Sequence, residues 1–418
     1  MTPQRIPRWG FMTLFPGYVI YNYGVMAGFW PAFVGGLFGV SAVVFSFFGI
    51  AYLLKYPIAR FSASPRLERV FLLFLLFLLV WTLCAFIVIS NFSYSTLALQ
   101  DSVYTLVIWV AVYFVAARYD LHDKKNYRIL RVAVIFILFL FLHGIVSNSS
   151  MMGIFMIFNG SHLDGEIHAT YQGVGRSILV MTLVLAAFQK RYLRKILIMV
   201  VAMIILVALG SRAHLFAMMA LIVLSLGVAG FRRHNWPFVV GGVMIITAVS
   251  YFFHQSFFES RAAEIFDLDV STSWQARLDA LEEAMAVITA NPFFGAFGYY
   301  IDAPEGYAHN LLSAWAQYGF AVFVLFIGML IYSMLITLPQ ILRTQNVSPV
   351  WMIAFQLNFV AILLAIASEP INGSVFPALA WGFTVQALRA GKQQGSSPMN
   401  EQHTSGLLGA KDLIAPNI

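Results

Sequence analysis

The chain has 418 residues, of which 60% are hydrophobic and only 10% are charged. Soluble globular domains carry about 25% charged residues, so the composition excludes that class and predicts an integral membrane protein. The formal net charge of +7 does not indicate a nucleic-acid partner, because the basic residues are scattered through short loops without a basic domain. The single cysteine, Cys84, excludes an intrachain disulfide and a thiolate metal cluster.

Apolar runs separated by polar breaks follow one another along most of the chain. A membrane-spanning helix needs about 20 mostly apolar residues, and this criterion predicts an all-α, polytopic fold of about twelve transmembrane helices. Pro16, Pro31 and several glycines interrupt the first two runs. The runs lie near 11 to 29, 32 to 54, 70 to 90, 102 to 117, 129 to 147, 172 to 188, 194 to 210, 212 to 230, 236 to 253, 310 to 337, 350 to 368 and 372 to 388.

The loops between the runs differ in charge. With a cytoplasmic amino terminus, the inner loops collect nearly all Lys and Arg, and only four basic residues fall outside: Arg176, Arg212, Arg261 and Arg277. This asymmetry follows the positive-inside rule and predicts that both termini are cytoplasmic. An arginine on the outer side is therefore the exception.

The domain organisation follows from this topology. Residues 1 to 389 are predicted to form the transmembrane domain. Two external segments, 148 to 171 and 254 to 309, are long enough to build a periplasmic site. Residues 390 to 418, rich in Gly, Ser, Gln and Asn, are typical of a flexible cytoplasmic tail.

The outer ends of three runs carry the candidate chemistry. The sixth, eighth and tenth runs start outside, and a helix amino terminus with its free N–H groups favours phosphate. Arg176 follows "TYQGVG", Arg212 follows the tight turn "ALGS", and His309 opens the tenth run. These groups predict an anion site without a metal. Three neighbouring polar residues are expected to support it: Tyr171, Ser211 and Asn310.

Arg277 belongs to the large external loop, in "STSWQARLDALEEAMAVITANPFFG". Helical periodicity places it about 60° from the centre of an apolar stripe, without a carboxylate three or four residues away. We expect an amphipathic helix on the membrane surface that directs Arg277 at a lipid-borne phosphate; the alternative is a salt bridge across the loop to Glu264, Asp267 or Asp302. The stripe consists of Trp274, Leu278, Leu281, Met285 and Ile288.

His309 is the candidate proton acceptor. A free imidazole has a pKa of about 6.5, and a helix amino terminus disfavours its cation, so a neutral ring is expected at pH 7. Such a ring near bound phosphates accepts a proton from an attacking hydroxyl. The alternative is an interfacial histidine bonded to loop backbone. Arg212 could likewise reach lipid headgroups, Arg176 could be structural, and His214 is predicted to be a packed histidine.

Three pieces of the sequence, in order and on one side, resemble the O-antigen ligase and polymerase superfamily of bacterial membrane glycosyltransferases. They are "GSR" at the start of an apolar run, an arginine followed by "NPFFGAFG", and "AHNLL" with "QYG" opening the next run. The stretch from Leu311 to Tyr318 is one residue shorter than the family commonly has between His-Asn and the next glycine. The matching pieces lie between residues 205 and 325.

The resemblance implies an enzyme of the bacterial inner membrane with a periplasmic active site, working without cofactor, metal or nucleotide. Its donor would be a glycan on undecaprenyl diphosphate. Arg212 and Arg277 would hold the diphosphate, and His309 would activate the acceptor hydroxyl, with inversion at the anomeric carbon. A ligase uses a lipid A-core acceptor, and a polymerase uses a second lipid-linked glycan; the residues leave both open. A polysaccharide flippase or transporter is disfavoured, because no Asp or Glu lies deep within an apolar run.

Overall fold

A computed structural model gives the architecture of the chain. Every regular element within its described residues is a helix. The described residues are 5 to 32, 36 to 54, 64 to 88, 92 to 147, 171 to 189, 191 to 233, 272 to 301, 310 to 343 and 347 to 395.

A short π-helical turn, Thr13–Gly17, contains Pro16 and separates the first two α-helices. The missing N–H of proline disrupts the regular bonding pattern at this point. The α-helices are α1 (Arg5–Met12), α2 (Tyr18–Met26), α3 (Gly36–Leu54), α4 (Arg66–Val88), α5 (Phe92–Ala116), α6 (Lys124–Ser147), α7 (Tyr171–Ala187), α8 (Tyr192–Ala208), α9 (Arg212–Arg233), α10 (Thr272–Ala290), α11 (Leu312–Arg343), α12 (Pro349–Ala367) and α13 (Phe376–Gly395).

Helices lie at the predicted runs, except that the run 236 to 253 falls outside the described residues. Within the described chain, five helices are long and apolar enough to cross a membrane: α4, α5 from Thr96 onward, α6, α11 and α12. Helix α5 begins at Phe92, ten residues before its predicted run, and α13 continues to Gly395, into the predicted tail. The rest of that tail, residues 148 to 170 of the first external segment, and residues 254 to 271 and 302 to 309 of the second lie outside the described residues.

Large aromatic side chains fill the centre of the bundle, where α4, α5, α11 and α13 meet. Trp109 stacks on Phe326 with ring centroids 5.9 Å apart, and meets Trp381 edge-on at 5.6 Å. The indole Nε1 of Trp109 also donates a hydrogen bond of 2.6 Å to the backbone carbonyl of Ser374. The core therefore fixes the connection between α12 and α13, which forms part of the candidate site.

Helix α11 is broken near its start. Gly319 has φ 81° and ψ 178°, a backbone conformation that side-chain-bearing residues avoid. An added Cβ at Gly319 would lie 2.2 Å from the carbonyl oxygen of Phe293. The backbone N–H of Phe320 donates to that oxygen at 3.2 Å, and the N–H of Ala296 donates to the carbonyl of Ala316 at 2.7 Å. The break thus holds the segment after α10 against α11.

The end of the bundle that contains α1, the start of α4 and the end of α13 carries paired charges. Arg8 donates hydrogen bonds to Asp123 and Asn126, which ties α1 to the α5–α6 connection. Arg389 on α13 pairs with Glu68 on α4. We call this region, defined by these five residues, the paired end.

Candidate functional site

A cavity of about 250 Å³ opens between the starts of α7 and α9, helix α10 and the α12–α13 connection. It contains five of the seven residues predicted for the site. These are Tyr171, Arg176, Ser211, Arg212 and Arg277. We call this cavity the arginine pocket, and the part of the bundle around it the pocket end.

The turn between α8 and α9 positions Ser211 and Arg212. The N–H of Ser211 donates to the carbonyl of Leu206 at 3.1 Å, which closes the turn that the "ALGS" sequence predicts. Helix α7 approaches this turn closely because Gly175 faces it: an added Cβ would lie 2.3 Å from Ser211 Oγ. The glycine therefore lets Arg176, the next residue on α7, reach the same cavity as Arg212.

Arg176 bridges α7 to the α12–α13 connection. Its Nη1 donates a hydrogen bond of 3.2 Å to the backbone carbonyl of Gly373. Its Nε lies 3.8 Å from Oε1 of Glu369, and both side chains are largely buried. Arg176 thus has a structural contact and a place in the pocket wall, so both of its predicted roles remain compatible with the geometry.

Glu369 is the one carboxylate among the described residues that line the arginine pocket. It is 8% exposed, accepts a hydrogen bond from the hydroxyl of Ser374, and lies 3.5 Å from Nε2 of His214. Burial alone would raise the pKa of Glu369, but Arg176, His214 and Ser374 together hold this pKa below its ordinary value. The carboxylate is therefore ionised at neutral pH.

Three buried polar atoms meet at this point without a hydrogen bond among the described residues. They are Nε of Arg176, Nε2 of His214 and Oε1 of Glu369. Separations of 3.5 and 3.8 Å exceed the normal range for N–H···O hydrogen bonds. A polar group of a ligand, or a water molecule, would satisfy these atoms.

His214 is 3% exposed. It also bonds to Ser211 through Nδ1, at 2.9 Å. The prediction of a packed histidine is therefore confirmed as to burial, yet the ring lines the pocket.

Helix α10 places Arg277 in the pocket lining. The row that packs toward Ala316 of α11 consists of Ala280, Ala284 and Ile288, of which Ile288 belongs to the predicted stripe. Leu278 and Met285 of that stripe are exposed, and a stripe that faces the membrane stays a prediction. Arg277 lies at i−3 from Ala280, on the continuation of the buried row. The predicted salt-bridge partners of Arg277 lie outside the described residues.

The positive charge of Arg212 acts on Arg277. The pKa of Arg277 is lowered, first by burial and then by the positive charge of Arg212, while Tyr171 raises it. Two nearby guanidinium groups repel, and an anion between them would relieve both the repulsion and the desolvation. Among the described residues, the pocket lining contains three arginines and one carboxylate, that of Glu369, and this charge favours an anion with more than one negative charge.

The start of α11 also faces this region. The side-chain oxygen of Asn310 accepts a hydrogen bond of 2.9 Å from the N–H of Leu312, which caps the helix. Ser313 Oγ accepts one of 3.0 Å from the N–H of Ile371, next to the pocket lining. Asn310 thus supports the helix start rather than lining the cavity. His309, the candidate base, lies outside the described residues.

The sequence analysis missed Glu369 and its neighbours on the α12–α13 connection. The sequence feature that could have indicated this site is the carboxylate in "SEPING", between two apolar runs. It lies on the same predicted side as the outer arginines. Asn372 adds a second polar element: its Oδ1 accepts from the hydroxyl of Tyr318 at 2.9 Å, and its Nδ2 donates to Gln317 at 2.9 Å. A connection this short can be recognised as part of a site only when the positions of the arginines that face it are known.

The part of the chain that the structure describes contains no group of three His, Cys, Asp or Glu side chains placed to hold a metal ion. Glu369 with His214 is a pair, and its nearest basic neighbour is Arg176. The arrangement is suited to binding an anion by charge and hydrogen bonding. No family model matches the chain, and no curated protein matches it either.

Proposed function

We propose that the protein is an O-antigen ligase of the bacterial inner membrane. It transfers a glycan en bloc from undecaprenyl diphosphate to a hydroxyl of the lipid A-core oligosaccharide, on the periplasmic side. The observation that carries this proposal is the arginine pocket at one end of an apolar helical bundle. Its lining, as far as the structure describes it, contains Arg176, Arg212 and Arg277 with one carboxylate, that of Glu369.

A diphosphate fits the charge of this pocket. Guanidinium groups bind phosphate oxygens through two parallel N–H···O bonds, and Arg212 is close enough to Arg277 for its positive charge to lower the pKa of Arg277. Charge builds up on the diphosphate as its bond to the sugar breaks, so the same two groups stabilise the transition state. The starts of α7 and α9 add the partial positive charge of two helix amino termini.

The reaction is a displacement at the anomeric carbon. The oxygen of the acceptor hydroxyl forms the new glycosidic bond, the bond to the diphosphate oxygen breaks, and undecaprenyl diphosphate leaves with the electron pair. His309 accepts the hydroxyl proton. Because the acceptor attacks opposite the leaving group, the configuration inverts.

Exposed apolar side chains at the far end of α10 suit a protein whose donor stays in the membrane. Phe293 and Phe294, directly after α10, are 70% and 73% exposed. Phe294 also stacks on Trp81 of α4 with centroids 5.9 Å apart. Aromatic groups of this kind favour the membrane–water interface, so this segment would lie at the level of the lipid headgroups.

A deletion strain tests the proposal. Loss of the protein should leave long polymer on its carrier lipid and unmodified core on the cell surface. Plasmid-borne wild type and Arg131→Ala, an exposed arginine on α6, should restore the capped core, whereas Arg212→Ala should not. Core capped by one repeat would assign the polymerase reaction, and donor trapped in the inner leaflet would assign a flippase; either outcome overturns the ligase.

A further inference from the structure

A carboxylate outside the arginine pocket has its own contact with the external segment. Asp101 on α5 is exposed. The hydroxyl of Tyr300, in the segment after α10, donates a hydrogen bond of 2.8 Å to its Oδ2. Tyr299 meets the ring of Tyr300 edge-on, with centroids 5.8 Å apart. An acid and two tyrosines therefore share one position on the surface of the bundle.

Hydrogen bonds place this group at the rim of the arginine pocket. The hydroxyl of Thr105, one turn along α5, donates to the carbonyl of Asp101 at 2.9 Å and accepts from the N–H of Gly373 at 3.1 Å. The carbonyl of Gly373 in turn accepts from Arg176. One turn of helix rises about 5.4 Å, so Asp101 stands about that far along α5 from the residue that holds the pocket wall.

A second chain of contacts leads from the same place to the pocket. Ser102, the neighbour of Asp101, bonds to the hydroxyl of Tyr318 at 2.7 Å, and Tyr318 donates to Asn372. Asn372 lines the arginine pocket. Two independent routes therefore connect Asp101 to the pocket wall.

The chemistry of the group differs from that of the pocket. A carboxylate repels phosphate, but it accepts strong charge-assisted hydrogen bonds from hydroxyl groups. The pKa of Tyr300 is raised, by burial first and by Asp101 second, so its hydroxyl stays protonated. Tyrosine rings supply apolar faces beside these polar atoms. A carboxylate, a hydroxyl and aromatic faces together suit a neutral, hydroxyl-rich ligand.

We propose that Asp101 and Tyr300 bind hydroxyl groups of the acceptor glycan at the rim of the arginine pocket. This inference rests on the proposed function, since it assigns the second substrate of the same reaction. Asp101 sets the position of the acceptor sugar and holds it beside the diphosphate bound in the pocket. The negative rim and the positive pocket thereby sort the two substrates: the diphosphate goes to the arginines and the hydroxyls go to Asp101.

The competing explanation is that the Asp101–Tyr300 bond merely fastens the external segment to α5. Three variants separate the two explanations. Asp101→Asn keeps an oxygen that accepts from Tyr300 but removes the charge. Tyr300→Phe removes the bond but keeps the carboxylate, and Asp101→Ala removes both.

The experiment uses the full chain in lipid nanodiscs and two probes. Core oligosaccharide, released from lipopolysaccharide by mild acid, is titrated by saturation-transfer NMR, and inorganic diphosphate is titrated by calorimetry. Asp101→Asn should weaken oligosaccharide binding about tenfold, equivalent to roughly 1.4 kcal/mol. Diphosphate binding should stay within about twofold of wild type, because the rim lies outside the pocket. Tyr300→Phe should weaken oligosaccharide binding less than Asp101→Ala does.

Normal oligosaccharide binding by Asp101→Asn, with equal losses for Tyr300→Phe and Asp101→Ala, would assign the bond to fastening and overturn the inference. Absence of oligosaccharide binding by the wild type, with diphosphate still bound, would overturn the inference and leave the donor pocket intact. A wild type that binds neither probe would refute the proposed function itself.

Discussion

The paired end and the pocket end differ in the number of carboxylates that lie beside their arginines. At the paired end, Arg8 contacts Asp123 and Asn126, and Arg389 contacts Glu68, so each guanidinium has a carboxylate of its own. At the pocket end, Arg176, Arg212 and Arg277 line one cavity, and Glu369 is the single carboxylate in the part of its lining that the structure describes. Both ends belong to one bundle. The difference therefore lies in local charge balance.

This difference separates structural from functional cations. A buried cation with a dedicated carboxylate is complete within the chain and ties helices together. An excess of cations around a cavity is costly without a ligand, because burial and mutual repulsion both disfavour the charged forms. Functional sites commonly hold such unfavourable arrangements. An external anion would therefore be stabilised most strongly at the pocket end.

The largest effect expected from this comparison concerns diphosphate binding. Arg212→Ala or Arg277→Ala should weaken the affinity for inorganic diphosphate by roughly 100-fold, about 2.7 kcal/mol, because each removes charge-assisted bonds in a half-buried cavity. Titration calorimetry on the purified protein measures this change. The matched control is Arg8→Ala, which should leave diphosphate binding unaltered and lower the thermal midpoint. If Arg8→Ala weakened binding as much as the pocket variants do, the distinction between the two ends would be wrong.

The sequence could predict the arginines because topology singles them out. Arg176, Arg212 and Arg277 break the positive-inside pattern, and that pattern depends only on the order of apolar runs and loops. The structure brings these three residues together in one cavity, where they lie near the starts of α7, α9 and α10. The glycine-containing turn before Arg212 could also be predicted, because the conformation of a turn depends on its own few residues.

The packing contacts could not be predicted from the sequence in the same way. Helix α10 packs through Ala280, Ala284 and Ile288, and apolar periodicity had selected only Ile288 of these three. Burial of Glu369 depends on Arg176 and His214, which are far away in sequence and meet it only in the folded bundle. A hydrophobicity pattern reports which residues prefer to leave water, but close approach of backbones decides which neighbours they meet.

The break in α11 offers the next largest effect. Gly319→Ala should lower stability by about 2 kcal/mol, because the residue has positive φ and its new methyl group would clash with the Phe293 carbonyl. The displaced segment should also weaken diphosphate binding, since it holds α10 and with it Arg277. Thermal unfolding and calorimetry of the same sample measure both changes.

Gly328 on the same helix provides the control, because an added Cβ there meets no atom within 4 Å. Gly328→Ala should be neutral or stabilising by a few tenths of a kcal/mol, as expected for a helix interior. Equal melting temperatures for the two alanine variants would show that the break in α11 does not constrain the pocket.

The smallest expected effect tests the charge balance itself. Glu369→Gln keeps the shape of the side chain and the bond from Ser374, but it removes the only carboxylate found among the described lining residues. Stability should fall by about 1 kcal/mol at pH 7, since Arg176 and His214 lose an ionised neighbour. Affinity for diphosphate should nevertheless rise a few-fold, because a like charge no longer repels the ligand. Glu68→Gln at the paired end should lower stability without changing the affinity.

The pH dependence of stability gives Glu369 a second signature. Its pKa in the folded protein lies below the ordinary value of 4.5, because Arg176, His214 and Ser374 outweigh the effect of burial. A lowered folded-state pKa contributes stability above the unfolded value, and that contribution disappears as pH falls through the folded value. The wild type should therefore melt at a higher temperature than Glu369→Gln at pH 7, and the gap should narrow below about pH 4.5. A gap that widened on acidification would mean that Glu369 is protonated at neutral pH, and the pocket would then carry more positive charge than its geometry implies.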